Sequence, residues 1–157
     1  MLAEEVGKLL SSRKLKLAVA ESCTGGRLGD LITDVPGSSD YFEGGVVSYS
    51  NHAKVDMLGV DPKVLSSKGA VSEAVALEMA DGARERLHAD VGVGITGIAG
   101  PAGGTPEKPV GLVYIAVTSE DSSTCSKNNF SGSRSEIKDQ SANRALEMLR
   151  DFVTKEM

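Results

Sequence analysis

The feature that most limits what this chain can fold into is a change of hydrophobic period that repeats along it. Short continuous apolar runs alternate with stretches in which apolar residues recur every three or four positions. The first kind suits a buried strand and the second an amphipathic helix. "LKLAVAE", ending at Glu21, reads as a strand, as do "GGVVSYS" up to Ser50, "VGVGITG" up to Gly97 and "VGLVYIAVTS". "TCSKNNF" reads as a fifth, at a sheet edge. Helical spacing carries Val6, Leu9 and Leu10 in "EEVGKLL", and Leu28, Leu31, Ile32 and Val35 in "RLGDLITDV" until Pro36 stops it. "NHAKVDML", with Asn51 as N-cap, and "DPKVLSS", with Pro62 in its first turn, are two short helices. A longer one follows in "SEAVALEMADGARERL", with Val75, Met79, Ala83 and Leu87 as its buried stripe. A last helix from about 133 to 153 turns Ile137, Ala145, Met148, Leu149 and Phe152 inward.

Strands alternate with helices at first, and then two or three strands come together. That order predicts an α/β fold: a layered sandwich whose mixed sheet is flanked by helices. No repeat or linker divides residues 1–157, and that length gives one domain a proper core. The net charge of −5 argues against nucleic acid as a partner. Two cysteines and two histidines, with no CxxC and no Cys/His cluster, leave no zinc site to expect. Few cysteines suit a reducing compartment. Glu4, Glu5, Lys8 and Arg13 break up the N-terminus, which lacks a signal-peptide core, and no apolar run is long enough to span a bilayer. The expectation is a cytoplasmic protein that does not engage a membrane.

Three segments carry possible chemistry. "GVGITG", Gly92 to Gly97, matches the dinucleotide fingerprint letter for letter, but its glycines lie inside a strand where the fingerprint needs a strand before them and a helix after. Gly92 and Gly94 are better explained as letting a helix pack close to the sheet. The loop that follows, "TGIAGPAGGTPEKP", holds more glycines than a plain connection needs, and such loops aim backbone N–H groups at an anion. "AESCTGGRLGD", at the end of the first strand, sets Ser22, Cys23 and Thr24 just ahead of a helix. A helix N-terminus there can hold a phosphate or an oxyanion, although Ser22 or Thr24 as a mere N-cap is the commoner case. A serine nucleophile also needs a base. "YSNHAK" offers His52 and Lys54, with Tyr49 near the tip of its strand, and the residues alone do not choose between them.

Taken together and in order, "AESCTGG", "VPGSSDYFEGGVVSYSNHAKVDMLGV", "GAVSEAVALEMA", "TGIAGPAGGTPEKPVGLVYIA" and "FSGSR" resemble the C-terminal domain of the CinA (competence/damage-inducible) family, the nicotinamide mononucleotide deamidases. Each motif alone is weak, the set is specific, and the likeness runs from about Glu4 to Phe152. It implies a stand-alone form without the N-terminal molybdopterin-binding-like domain. It implies hydrolysis of the amide of nicotinamide mononucleotide to nicotinic acid mononucleotide and ammonia, a step of NAD recycling, by a Ser/Lys mechanism without metal or cofactor. On this resemblance Ser22 is the nucleophile, Lys54 the general base and Tyr49 a proton relay or orienting group. Thr24, Gly25 and Gly26 at the corner and Thr96, Gly97 and Gly100 at the loop hold the ribose phosphate and the oxyanion, and Arg134 meets the phosphate. Departures from the family pattern stand at Ala102, Ser133 and Lys138. A catalytically idle nucleotide- or anion-binding module with the same fold is the alternative. The general frequency of homo-oligomers adds the expectation of a dimer or larger.

Overall fold

The computed structural model describes all residues 1–157. Five strands, β1 (Leu17–Glu21), β2 (Phe42–Val47), β3 (Val91–Gly97), β4 (Leu112–Thr118) and β5 (Ser123–Asn129), form one sheet in the order β2-β1-β3-β4-β5. β2, β1 and β3 run parallel, whereas β4 and β5 are added antiparallel, so the sheet is mixed as the spacing of the strands predicts. Six helices cover it: α1 (Leu2–Ser12), α2 (Arg27–Thr33), α3 (Asn51–Leu58), α4 (Pro62–Lys68), α5 (Glu73–Arg86) and α6 (Arg134–Glu156). No helix is long and apolar enough to cross a membrane.

The two faces of the sheet differ in side-chain size, and the alternation of strand residues sets that difference. Leu17 and Val19 of β1, Val91, Val93 and Ile95 of β3, and Val113, Ile115 and Val117 of β4 face one way. They form the main core with α1, α2 and α6. The opposite face is built from Ala18 and Ala20 of β1, Ala116 of β4, and Gly92 and Gly94. Across it lies α5, so close that a Cβ on Gly92 would run into the Ala80 carbonyl and one on Gly94 into that of Ala76. The close-packing role expected of these two glycines is what the structure shows. Val75, Met79 and Ala83 are fully buried in this layer, while Leu87 at the helix end is only half-buried.

Several boundaries differ from the sequence reading. β2 starts at Phe42 and ends at Val47, short of Ser50. One further ladder bond, from the Ser48 N–H to the Glu21 carbonyl at 2.8 Å, ties the next residue to β1. The chain then turns, because Ser50 rather than Asn51 caps α3: its hydroxyl accepts the Ala53 N–H at 3.0 Å. α6 runs three residues past 153, to Glu156. It starts in a capping box in which Ser133 Oγ accepts from Glu136 N and Glu136 Oε1 accepts from Ser133 N. A short 3₁₀ turn, Ser38–Asp40, follows Pro36 where the sequence offered only a stop signal.

The topology leaves one opening. β1 hands the chain to β2 on one side, and β3 hands it to β4 on the other. The carboxyl ends of the adjacent parallel strands β1 and β3 therefore have no connection crossing between them, which is where open α/β sheets bind ligands. Ser22 follows the last residue of β1, and Gly97 is the last residue of β3.

Candidate active site

Ser22 leaves β1 with its N–H bonded to the Ile95 carbonyl at 3.1 Å, so its backbone is still held by the sheet. Its side chain is 7 % exposed. Lys54, in the first half of α3, is 1 % exposed and brings its Nζ to 2.9 Å from Ser22 Oγ. The same Nζ donates to the Ser48 carbonyl at 2.8 Å and to the Tyr49 carbonyl at 3.4 Å. Burial pushes the Lys54 pKa below its ordinary value of 10.5, partly offset by the nearby Cys23 sulfur. A neutral amine has two N–H donors and one lone pair. In that form, with the two carbonyls taking the donors, the lone pair would be left for the Ser22 hydroxyl. The arrangement therefore suits a base in wait for the Ser22 proton.

Cys23 is next in the chain and borders the same pocket as Ser22. Its side chain packs into the main core, and burial pushes its thiol up to about 11. It stays protonated near neutrality, and the thiol is a far weaker nucleophile than the thiolate. His52, the other base within "YSNHAK", points to solvent and pairs with Asp56 at 2.9 Å.

Glu21 shapes the corner. Its buried carboxylate accepts from the Thr24 hydroxyl at 2.6 Å, from Leu28 N at 2.9 Å and from Gly29 N at 3.0 Å. The first donors of α2 are thus already taken by this chain, and Thr24 spends its hydroxyl on Glu21. Gly25 and Gly26 adopt positive φ of 62° and 110° to turn the chain into α2. Thr24, Gly25 and Gly26 do not line the pocket that opens beside Ser22. The N–H groups of Cys23 and Thr24 make no hydrogen bond within the chain.

That pocket has a volume of about 250 Å³. Ser22 and Lys54 line it, and Ala70, Val71, Ile98 and Ala99 give it an apolar wall. Thr96, Gly97 and Gly100 line it as well; the Thr96 hydroxyl donates to the Ala70 carbonyl at 2.8 Å. The loop after β3 is pinned at its base by Ile98 N to Leu112 O and Gly111 N to Ile98 O. Between these pins the N–H groups of Ala99, Gly100, Ala102, Gly103 and Gly104 have no acceptor in the chain. Arg134, the first residue of α6 and set by its capping box, lines the pocket too. It donates to the Gly100 carbonyl at 2.6 Å and to the Tyr49 phenol oxygen at 2.8 Å. The structure therefore gathers Ser22, Tyr49, Lys54, Thr96, Gly97, Gly100 and Arg134 around one cavity. It keeps the Tyr49 phenol on Arg134 and makes no bond from it to Ser22 or Lys54.

Sequence reasoning overlooked Glu21 and Ser48. A carboxylate closing an otherwise apolar strand was the available signal for Glu21. Ser48 works through its carbonyl oxygen, and no residue type announces that.

The chain matches the family model described as the CinA C-terminal domain over residues 1–153. A CinA-like protein from Cyanothece is 54 % identical over 152 residues, which is 95 % of this chain and 36 % of that protein. One from Synechocystis is 60 % identical over 116 residues, 74 % of this chain and 28 % of that one. The chain thus spans about a third of the length of these relatives. Among solved structures, the competence/damage-inducible protein CihA from Agrobacterium tumefaciens is 40 % identical with a TM-score of 0.95, over 98 % of this chain and 94 % of that one. The competence damage-inducible protein A from Klebsiella pneumoniae is 31 % identical with a TM-score of 0.96, over 99 % and 97 %.

Proposed function

The chain belongs to the family of the CinA C-terminal domain, and from that premise we propose that it is an amidohydrolase that opens the amide of nicotinamide mononucleotide. The observation that carries the reading is the buried contact of 2.9 Å between Ser22 Oγ and Lys54 Nζ. A surface lysine beside a serine would be charged and idle. A desolvated one with two carbonyls on its N–H groups is a base.

Ser22 Oγ attacks the amide carbon as its proton passes to Lys54 Nζ. The carbonyl oxygen gains charge, and the free N–H groups of Cys23 and Thr24, adjacent to the nucleophile in the chain, are the donors at hand for it. The tetrahedral centre collapses, the C–N bond breaks, and Lys54 returns the proton to the departing nitrogen, which leaves as ammonia. The acyl group now sits as an ester on Ser22. Water attacks that ester with Lys54 again taking the proton, and the carboxylic acid leaves as Ser22 recovers its hydrogen. The apolar wall of Ala70, Val71, Ile98 and Ala99 suits the flat ring, and the glycine loop with Arg134 suits the phosphate.

Ammonia release from nicotinamide mononucleotide, compared between the unaltered protein and Ser22→Ala, tests the proposal. Release that depends on Ser22 supports it. Nucleotide binding with no release from the unaltered protein would leave a binding module in place of the enzyme.

A further inference from the structure

The phenol of Tyr49 is bonded to Arg134 and to neither of the reacting groups. Its oxygen accepts from Arg134 at 2.8 Å, while the Lys54 amine reaches only the Tyr49 backbone carbonyl. Tyr49 is 62 % exposed, so neither burial nor packing forces the ring onto Arg134. A phenol can accept and donate at once. Accepting from Arg134 leaves the O–H hydrogen unused, and the chain offers it no acceptor. The guanidinium, with five N–H donors, spends one on Gly100 and one on Tyr49. An anion arriving at Arg134 would find the remaining guanidinium hydrogens, the Tyr49 O–H, and the free N–H groups of residues 99–104 together.

We propose that Tyr49 is a specificity-determining residue that binds the anionic group of the substrate beside Arg134, and does not carry a proton for Ser22 and Lys54. The inference rests on the reading above that the pocket takes a phosphorylated amide. It assigns the two parts of Tyr49 to two jobs. The backbone carbonyl steadies the base, and any substitution keeps it. The phenol selects the ligand, and Tyr49→Phe removes only its oxygen.

The experiment is a calorimetric titration of Ser22→Ala protein and of Ser22→Ala/Tyr49→Phe protein. The ligands are nicotinamide mononucleotide, the phosphate-free nucleoside, and inorganic phosphate. Loss of one hydrogen bond to a charged group should weaken the mononucleotide about tenfold and leave the nucleoside unchanged. In protein with Ser22 intact, Tyr49→Phe should raise KM and leave the pH dependence of kcat where it was. Equal weakening of mononucleotide and nucleoside overturns the inference, and so does unchanged affinity with a lowered kcat or a shifted pH profile. If neither nucleotide ligand binds, the phosphate titration decides: a Tyr49-dependent affinity supports the inference and its absence overturns it. Failure of the amidohydrolase reading looks different. It would appear as Tyr49-dependent binding by an unaltered protein that releases no ammonia.

Discussion

Two glycine-bearing turns flank the same pocket and spend their backbone donors to different extents. In the turn after β1, Gly25 and Gly26 bend the chain, and the donors of α2 beyond them are consumed by the Glu21 carboxylate. In the loop after β3, Gly100 and Gly103 take similar positive φ of 77° and 93°, but five consecutive or nearly consecutive N–H groups are left over. Past the free N–H groups of Cys23 and Thr24 the first turn is locked, and it carries the side chain that would react. The second is unspent, and it offers donors. Glycine content marks both as places where the chain bends sharply; only an account of where each N–H goes separates a rigid mount from a cradle.

The largest effect that could break this contrast lies at the locked turn. Ser22→Ala should lower turnover by at least about a thousandfold while nucleotide binding persists, as removal of a nucleophile does elsewhere. Cys23→Ala should keep most activity, because the thiol is held protonated by burial. Steady-state ammonia release with parallel binding measurements checks both, and the reverse pattern would place the chemistry on the wrong neighbour.

Next in size is the base. Lys54→Arg should cost nearly as much as Lys54→Ala, about a hundredfold or more, since a guanidinium does not deprotonate in a protein. His52→Ala should be mild. The unaltered rate should rise with pH through one ionisation below 10.5, because burial lowers the Lys54 pKa and only the neutral amine accepts a proton. A profile that survives in Lys54→Arg, or one that vanishes in His52→Ala, would remove Lys54 from the mechanism.

The unspent loop should answer differently. Arg134→Ala should raise KM for the mononucleotide by about tenfold to a hundredfold with little change in kcat, and should spare the nucleoside. A loss of kcat for both ligands would mean that Arg134 braces the turn of Gly100 and nothing more.

The smallest effect concerns stability. A lysine whose folded pKa lies below its unfolded value of 10.5 binds fewer protons when folded. Its contribution is fully present above the unfolded value and is lost as pH falls through the folded one. Lys54→Met has no such ionisation. The Tm difference between the unaltered protein and this variant should therefore move in favour of the unaltered protein as pH climbs from neutral towards the free-lysine range. Thermal scans across that window check the sign.

The fold was largely legible because its strands and helices differ in period. Gly92 and Gly94 are legible as close-packing positions because they fall inside a strand, where a dinucleotide fingerprint would need them after one. Element ends were less legible, because Ser50 and Asn51 are both good caps and only the bond to Ala53 tells them apart. The site was legible as two loops and a set of residue types. What periodicity could not supply was the depth of Lys54: a lysine in "NHAKVDML" looks solvated, and it is buried because α3 lays that side chain towards Ser22. The use of Tyr49 was hidden for a related reason. Its partner, Arg134, is 85 positions away in the chain.

The cavity of about 250 Å³ that encloses Ser22 and Lys54 has a consequence for the company the protein keeps. On the proposed mechanism, a serine that can hand its proton to a buried amine would be reactive towards amides in general, peptide bonds included. An extended polypeptide needs a groove open at both ends, and this recess ends at buried side chains. On that reading a small pocket would favour a compact amide over an extended polypeptide. The same shape defines a useful poison: a compact, anionic electrophile would reach Ser22, and the bulky serine traps designed for proteases would stop at the rim.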